Sequence, residues 1–417
     1  MKRNNILFGI ITASNDYDKV LKINLKIYKK IYKEFGNFYI LNLSNLLLLN
    51  KTYEAVGKKF FFSKNIKVFK PKSKKELINF FKNKKFIAFN NLGKSLSYFK
   101  IFYYLKKINI RLILLMNYGH ISNTVNFRRN ITKNFLSIIR GNIYYIRIKF
   151  LNYLFRIFTI LNIFPQIDLY FESSQDIYSS IKKGIKVRKK IEKYLPLLKF
   201  SYFRNIFKIN SRSFDFYKKN KKLKSKYICF VDSGIDNLDV ALREGKISII
   251  NKKKYYSYLK TLFIHLNKIF KKKVIICLHP KNNDKYIYKT FKNYKIIKYN
   301  TPKIIKNSFL VLFHDSSAAL DSILLKKNML CLKSDILGVY WSERVNQYEK
   351  ELGLPSIELG NDYLINKTDL LKQFSISKIK QKKYTLKNLN IDKNKIGEDK
   401  VVEIIKKIFL KKGKNPT

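Results

Sequence analysis

The chain has little of what most cofactor and metal sites are built from. Its 417 residues include 14 glycines, four histidines, three cysteines and one tryptophan, and only 28 are acidic. No Gly-rich phosphate loop, internal repeat or coiled coil is visible. Cys229, Cys277 and Cys331 fall inside apolar runs without the spacing of a zinc or redox motif, so they read as free buried thiols suited to a reducing cytoplasm. His120, His265, His279 and His314 lack metal-ligand spacing, and the one Asp-x-Asp, Asp16-Tyr17-Asp18, lies several residues past its strand. A reaction without metal or cofactor is the economical expectation. Long apolar runs are missing too. The best candidate, Phe150 to Phe164, is broken by Asn152, Arg156 and Asn162 and is shorter than the ~20 residues a spanning helix needs. It reads as a buried or interfacial helix. The apolar core of Met1 to Ile11 is short and lacks a small-residue cleavage site, which makes a first β-strand the better reading. Together these point to a cytoplasmic protein, peripheral at most.

Basic charge is abundant: 87 Lys and Arg give a formal net charge of +59. Such an excess points first to nucleic acid, because clustered cations release counterions from a phosphate backbone. Only 12 of the 87 are arginine, however, and base readout favours arginine. The lysines are also spread along the whole chain among Ile, Asn, Tyr and Phe. No specific nucleic acid is therefore expected as partner, and a non-enzymatic nucleic-acid-binding protein is the remote alternative. The basic surface instead favours anionic membranes and acidic glycans. Apolar residues make up 46% and aromatics 15%, enough for a folded chain, and the length favours two domains.

Hydrophobic periodicity divides the chain. In the first half strand-like runs (Ile6 to Ile11, Phe38 to Leu41, Phe86 to Asn90, Leu112 to Asn117, Leu169 to Glu172) alternate with amphipathic stretches, as in a doubly wound sheet. Around Ser201 to Lys224 the pattern is polar and aperiodic. Alternation resumes with strands Tyr227 to Val231, Val274 to Leu278, Ile296 to Tyr299, Phe309 to Phe313 and Met329 to Leu332, and with helices between them. The expected organisation is an acceptor-side α/β domain over 1–195, a linker over 196–225 and a nucleotide-binding α/β domain over 226–380. A tail over 381–417 is expected to carry a helix that packs back.

Candidate chemistry collects at strand ends, where open α/β sheets bind ligands. Val274-Ile-Ile-Cys-Leu ends in His279-Pro280, and the proline turns the chain out of the sheet. An imidazole there can donate to, or protonate, a departing phosphate, or it can be a strand-end histidine satisfied by backbone. Phe309 to Phe313 ends in His314-Asp315-Ser316-Ser317 ahead of a helix expected from Ala318, so a serine caps the helix or both hydroxyls meet an anion there. In Val231-Asp232-Ser233-Gly234 the carboxylate reads either as base or nucleophile, or as an Asx-turn closed by Gly234. Glu172, with Asp16 and Asp18, are the first-half counterparts. Tyr340, Trp341 and Glu343, after Gly338, sit where ribose or base contacts would fall, although packing is the simpler role for the only tryptophan.

The order Asp-Ser-Gly, His-Pro, Ser-Ser over Tyr227 to Leu332 resembles the bacterial sialyltransferases and Kdo transferases of capsule and lipopolysaccharide synthesis. The resemblance implies a GT-B fold, two doubly wound Rossmann-type domains facing a cleft, and a CMP-activated keto-sugar donor passed to a surface glycan or glycolipid. It also implies that His279 and Pro280 contact the CMP phosphate, Ser316 and Ser317 complete its site with His314 nearby, and Asp232 with Gly234 belong to the catalytic acidic motif. Ser233 stands where the family carries a second acid. A CDP-polyol phosphotransferase of the teichoic-acid type is the alternative within the same fold.

Overall fold

A computed structural model describes residues 6–14, 17–22, 24–47, 66–92, 98–108, 110–116, 150–194, 202–219, 225–234, 251–279, 282, 285–337, 339–360, 363, 365–389 and 392–409. They form two compact units. The first takes the described residues up to 116, those of 150–210 and those from 392 on. The second takes those of 211–389.

The first unit is built on a seven-stranded sheet. Its strands are β1 (Ile6–Thr12), β2 (Phe38–Asn42), β3 (Ile66–Phe69), β4 (Lys85–Asn90), β5 (Arg111–Met116), β6 (Ile167–Glu172) and β7 (Phe203–Lys208). Every pairing is parallel and the order is β3-β2-β1-β4-β5-β6-β7. β1 is buried at all seven positions because helices cover both faces. Its side chains alternate accordingly: Ile6, Phe8 and Ile10 join one core with helix Leu25–Phe35, while Leu7 and Ile11 join the other with Leu77, Ile101 and Phe155. Gly9 is required at this seam, since a Cβ there would sit 2.2 Å from the Tyr39 carbonyl and 2.9 Å from the Phe86 ring.

The second unit carries six parallel strands: β8 (Tyr227–Val231), β9 (Val274–Leu278), β10 (Lys295–Lys298), β11 (Ser308–Phe313), β12 (Asn328–Lys333) and β13 (Ser356–Glu358). Their order is β10-β9-β8-β11-β12-β13. The chain lays β9 and β10 on one side of β8, then returns to lay β11 to β13 on the other. The reversal places a topological switch point between the carboxyl ends of β8 and β11. Ile228 and Phe230 face the core under helix Lys252–Phe270, and Cys229 and Val231 face that of Val345, Tyr348 and Tyr384.

The described residues of the segment expected as an aperiodic linker, 202–219 and 225, are largely structured. They include β7, which extends the first sheet, and helix Arg212–Lys219 of the second unit. β7 alternates poorly because it is an edge strand with no fully buried residue. The helix expected from Lys400 runs from Gly397 to Phe409 and belongs to the first unit, where Val401, Val402 and Ile405 enter the core around Ile10 and Ile31. Cys229, Cys277 and Cys331 are buried and unbridged, with the first two sulfurs 3.6 Å apart on neighbouring strands.

Candidate active site

The carboxyl ends of β9, β8 and β11 lie side by side, and short polar turns there are tied together by hydrogen bonds. Asp232 begins the network and is buried. Its Oδ1 accepts from the Gly234 N–H at 3.0 Å, closing an Asx-turn. Its Oδ2 accepts from the His279 N–H at 3.0 Å and from Asn282 Nδ2 at 2.9 Å. The carboxylate therefore holds the turn after β9 against the tip of β8. The Asn282 N–H closes that turn on the His279 carbonyl at 2.9 Å.

Gly234 has a second reason to be glycine. Its φ is +67°, and a Cβ there would stand 2.8 Å from His279 Nδ1 and 2.9 Å from Cγ. The imidazole is seated on the bare Gly234 backbone and is half-buried. Asp232 and Gly234 thus form one unit with His279, which follows Asp232 by 47 positions in the sequence. Pro280 lies outside the described residues, as does Asp16 and the side chain of Asp18.

Across the switch point, the Asp315 N–H donates to Ser233 Oγ at 3.2 Å, linking the β8 and β11 tips. The Asp315 carboxylate takes a forked contact from Arg344, Nε to Oδ2 at 3.0 Å and Nη2 to Oδ1 at 3.1 Å, and also accepts from the Tyr348 hydroxyl at 2.6 Å. This anchor fixes the turn that presents Ser316 and Ser317. Ser317 is exposed and Ser316 half-buried, with its Oγ accepting from the Ala318 N–H at 3.2 Å. The helix expected to be capped by a serine starts at Ala319 with Ala318 as its N-cap and spans only six residues. Capping therefore does not account for the Ser-Ser pair.

His314, expected beside the phosphate, is turned into the core. It is fully buried, with Nδ1 2.6 Å from the Leu332 carbonyl and Nε2 2.9 Å from the Tyr255 hydroxyl. A carbonyl only accepts, so Nδ1 carries the proton and Nε2 accepts from Tyr255. Burial keeps this imidazole neutral, with a pKa down to about 4 despite the opposing pull of Leu332 and Asp315. Both nitrogens are committed, and the residue cannot reach a ligand. Trp341 is likewise packed in the core, its ring 6.2 Å from that of His314. Glu172 lies in the first unit, at the end of β6. It is buried and accepts from the Tyr170 hydroxyl at 2.6 Å and the Ser174 N–H at 2.8 Å, and burial raises its pKa.

Sequence inspection overlooked four contributors. Arg344 and Tyr348 share a face of helix Val339–Leu352 at the i, i+4 interval, a periodicity that could have drawn attention to them before Glu343. Lys298 ends β10, level with Leu278 in the neighbouring strand, and donates to the Asn282 carbonyl at 2.6 Å. Tyr299 follows at φ +71°, a conformation costly for an aromatic residue, with its ring exposed. Backbone strain of this kind has no single-residue signal. Among the described residues no group of three or more His, Cys, Asp or Glu side chains is assembled to hold a metal.

No protein-family model matches the sequence, nor does any curated protein. Solved structures do match in shape. The wall teichoic acid polymerase TagF aligns with a TM-score of 0.50 at 14% identity, covering 97% of this chain and 90% of that one. The fold is that of the GT-B glycosyltransferases. Other GT-B-type matches are the UDP-GlcNAc 2-epimerase of Methanocaldococcus jannaschii (TM-score 0.43, 14% identity, 96% and 99% covered) and Arabidopsis thaliana UGT89C1 solved with quercetin (0.47, 10%, 95% and 98%). Within the GT-B fold of this chain, the clustered turns lie at the switch point of the second unit, where a doubly wound sheet opens to receive a ligand.

Proposed function

We propose that the chain is a glycosyltransferase-type enzyme that moves a group from a cytidine-nucleotide-activated donor to a surface-glycan acceptor and releases CMP. The observation that carries this reading is the seating of His279 on Gly234 by Asp232, one strand away from the Ser316-Ser317 turn. Imidazole and hydroxyls flank one switch point, the arrangement that suits a leaving phosphate.

The Ser316 Oγ lone pair is used by Ala318, and its O–H is the part offered to a phosphate oxygen, together with Ser317. As the bond from the transferred group to the phosphate oxygen breaks, negative charge gathers on CMP. His279 stabilises that charge by donating a hydrogen bond or a proton. Asp232 acts as a positioning residue for His279 rather than as the base, because its oxygens accept from Gly234, His279 and Asn282.

For the donor, the order Asp-Ser-Gly, His-Pro, Ser-Ser favours a CMP-linked sialic acid or Kdo-type keto sugar. The likeness in fold to a wall teichoic acid polymerase favours a second reading, a CDP-polyol from which a polyol phosphate is transferred. Both release CMP. A panel of CMP-sialic acid, CMP-Kdo, CDP-glycerol and CDP-ribitol, with CMP release as readout, separates them. His279→Ala should lower kcat with a modest change in KM, and Ser316→Ala should raise the donor KM. Unchanged donor kinetics in both variants, or a thermal shift with UDP or GDP and none with CMP or CDP, would overturn the reading.

A further inference from the structure

The described first unit displays an apolar surface that its own fold does not use. Helix 150–160 buries Leu151, Phe155 and Thr159, yet on its opposite face Phe150 and Tyr153 stay 56% and 63% exposed, and Leu161 just beyond its end 51%. With the half-buried Ile157 they recur at i, i+3, i+7 and i+11, a continuous stripe. Helix Gln175–Tyr194 repeats the pattern. It buries only Ile185 along 20 residues, and Val187, Ile191 and Tyr194, the last 84% exposed, form an i, i+4, i+7 stripe on its outer flank.

Charge tells which partner fits. Lys182, Lys183, Lys186, Lys189, Lys190 and Lys193 are all exposed on the second helix, against Asp176 and Glu192 as its only acids. Lys183 and Lys190, at i−4 and i+3 from Val187, run beside the apolar stripe, and Lys182, Lys186, Lys189 and Lys193 keep the i, i+4, i+7, i+11 interval as a lysine stripe farther round the helix. Arg156 on the first helix and Arg188 on the second add two further cations, and burial together with the Arg156 charge lowers the Arg188 pKa. Cations on both helices, with exposed Phe, Tyr, Ile, Val and Leu on the same helices, call for an anionic partner with an apolar interior. No described helix is long and apolar enough to cross a membrane. A helix with an apolar stripe, aromatic residues and a lysine flank lies in the plane of a bilayer, its apolar side chains among the acyl chains and its lysine stems reaching back to the headgroups.

We propose that helices 150–160 and Gln175–Tyr194 form an in-plane docking surface for an anionic lipid bilayer. The surface holds the first unit on the membrane independently of the nucleotide chemistry in the second unit.

The test is sedimentation of the full chain with vesicles of phosphatidylcholine alone or mixed with phosphatidylglycerol, at physiological salt. The protein should pellet with the mixed vesicles. A triple Lys182→Gln, Lys186→Gln, Lys189→Gln variant should bind roughly a hundredfold more weakly, at about fivefold per lysine. A quadruple Tyr153→Ser, Leu161→Ser, Val187→Ser, Tyr194→Ser variant should lose about tenfold or more through lost apolar burial. Lys253→Gln, Lys260→Gln and Lys268→Gln together, an equal charge loss in the second unit, should leave binding near wild type. Equal losses in both lysine triples would show attraction by net charge alone and overturn the proposal, as would wild-type binding by the serine variant. Melting curves check folding. Where the quadruple variant melts early, Tyr194→Ser alone supplies the same comparison. Vesicle binding needs no nucleotide, so its outcome is separable from the donor panel.

Discussion

At the scale of single residues, the site depends on what Gly234 lacks. Its positive φ disfavours any side chain, and the space a Cβ would fill is taken by the His279 ring. Gly234→Ala should therefore cost stability and function by different routes. The left-handed conformation accounts for about 1 kcal/mol of lost stability. Displacing the imidazole adds a loss in kcat like that of His279→Ala while the donor KM moves less, because the serine turn is untouched. Chemical denaturation and steady-state kinetics on one preparation check both. An alanine variant with wild-type kcat would mean that the position of His279 is irrelevant to turnover. The sequence alone offered two meanings for Asp232-Ser233-Gly234, turn or catalytic acid. Hydrogen bonding favours the turn, and the turn serves the histidine.

At the scale of elements, legibility followed burial. The central strands β1, β4, β6, β8, β9, β11 and β12 are buried on both faces and read as mainly apolar runs, so their positions and the polar residues at their tips were visible in the sequence. β3, β7 and β13 are edge strands with no buried position whose pattern lysine, arginine and glutamate interrupt, whereas β10, an edge strand equally without a buried position, was legible through its adjacent Ile296 and Ile297. The same logic misplaced His314: adjacency to Ser316 suggested a shared role, but the end of β11 sends its side chain inward to Tyr255 and Leu332. Two neighbouring elements then titrate in opposite senses. His314 has a folded pKa of about 4, below its unfolded value of about 6.5, so the unfolded chain binds more protons and stability is lost as pH falls through that window. Asp321, on helix Ala319–Leu324, is pushed up to about 6 by burial, against the opposing pull of Ser213 and Arg212 on the helix packed beside it. It binds a proton more readily when folded, so stability is gained as pH falls from about 6 towards 4. The two effects have opposite signs and offset each other between about pH 4 and 6. Asp321→Asn should uncover acid sensitivity below pH ~6.5, and His314→Gln should reverse the slope. Denaturation midpoints between pH 4 and 7 read both. Parallel profiles in wild type and both variants would contradict the opposed titrations.

At the scale of the whole molecule, the chain leaves its first unit at 210, builds the second, and comes back at 392. Helix Gly397–Phe409 then supplies Val401, Val402 and Ile405 to the core that also holds Ile10, Ile31 and Phe38. Near its start, Asn210 makes three hydrogen bonds to the returning chain, Nδ2 donating to the Asp392 carbonyl at 3.0 Å and to the Lys395 carbonyl at 2.8 Å, while its Oδ1 accepts from the Asp392 N–H at 2.7 Å. Ion pairs of Lys30 with Asp399 and Lys406 with Glu34 lie at the exposed edge of the same contact and add little, since surface pairs rarely exceed about 1 kcal/mol. Apolar burial dominates: three aliphatic side chains at about 1.5–3 kcal/mol each come to a sizeable share of a domain's whole stability. Removing residues 392–417 should accordingly lower the melting temperature of the first unit and leave that of the second unchanged. Calorimetry of the truncated chain should show two separated transitions, with that of the second unit in place and that of the first unit shifted down. A single transition lowered as a whole would show instead that the two units unfold as one, and that the terminal helix stabilises both.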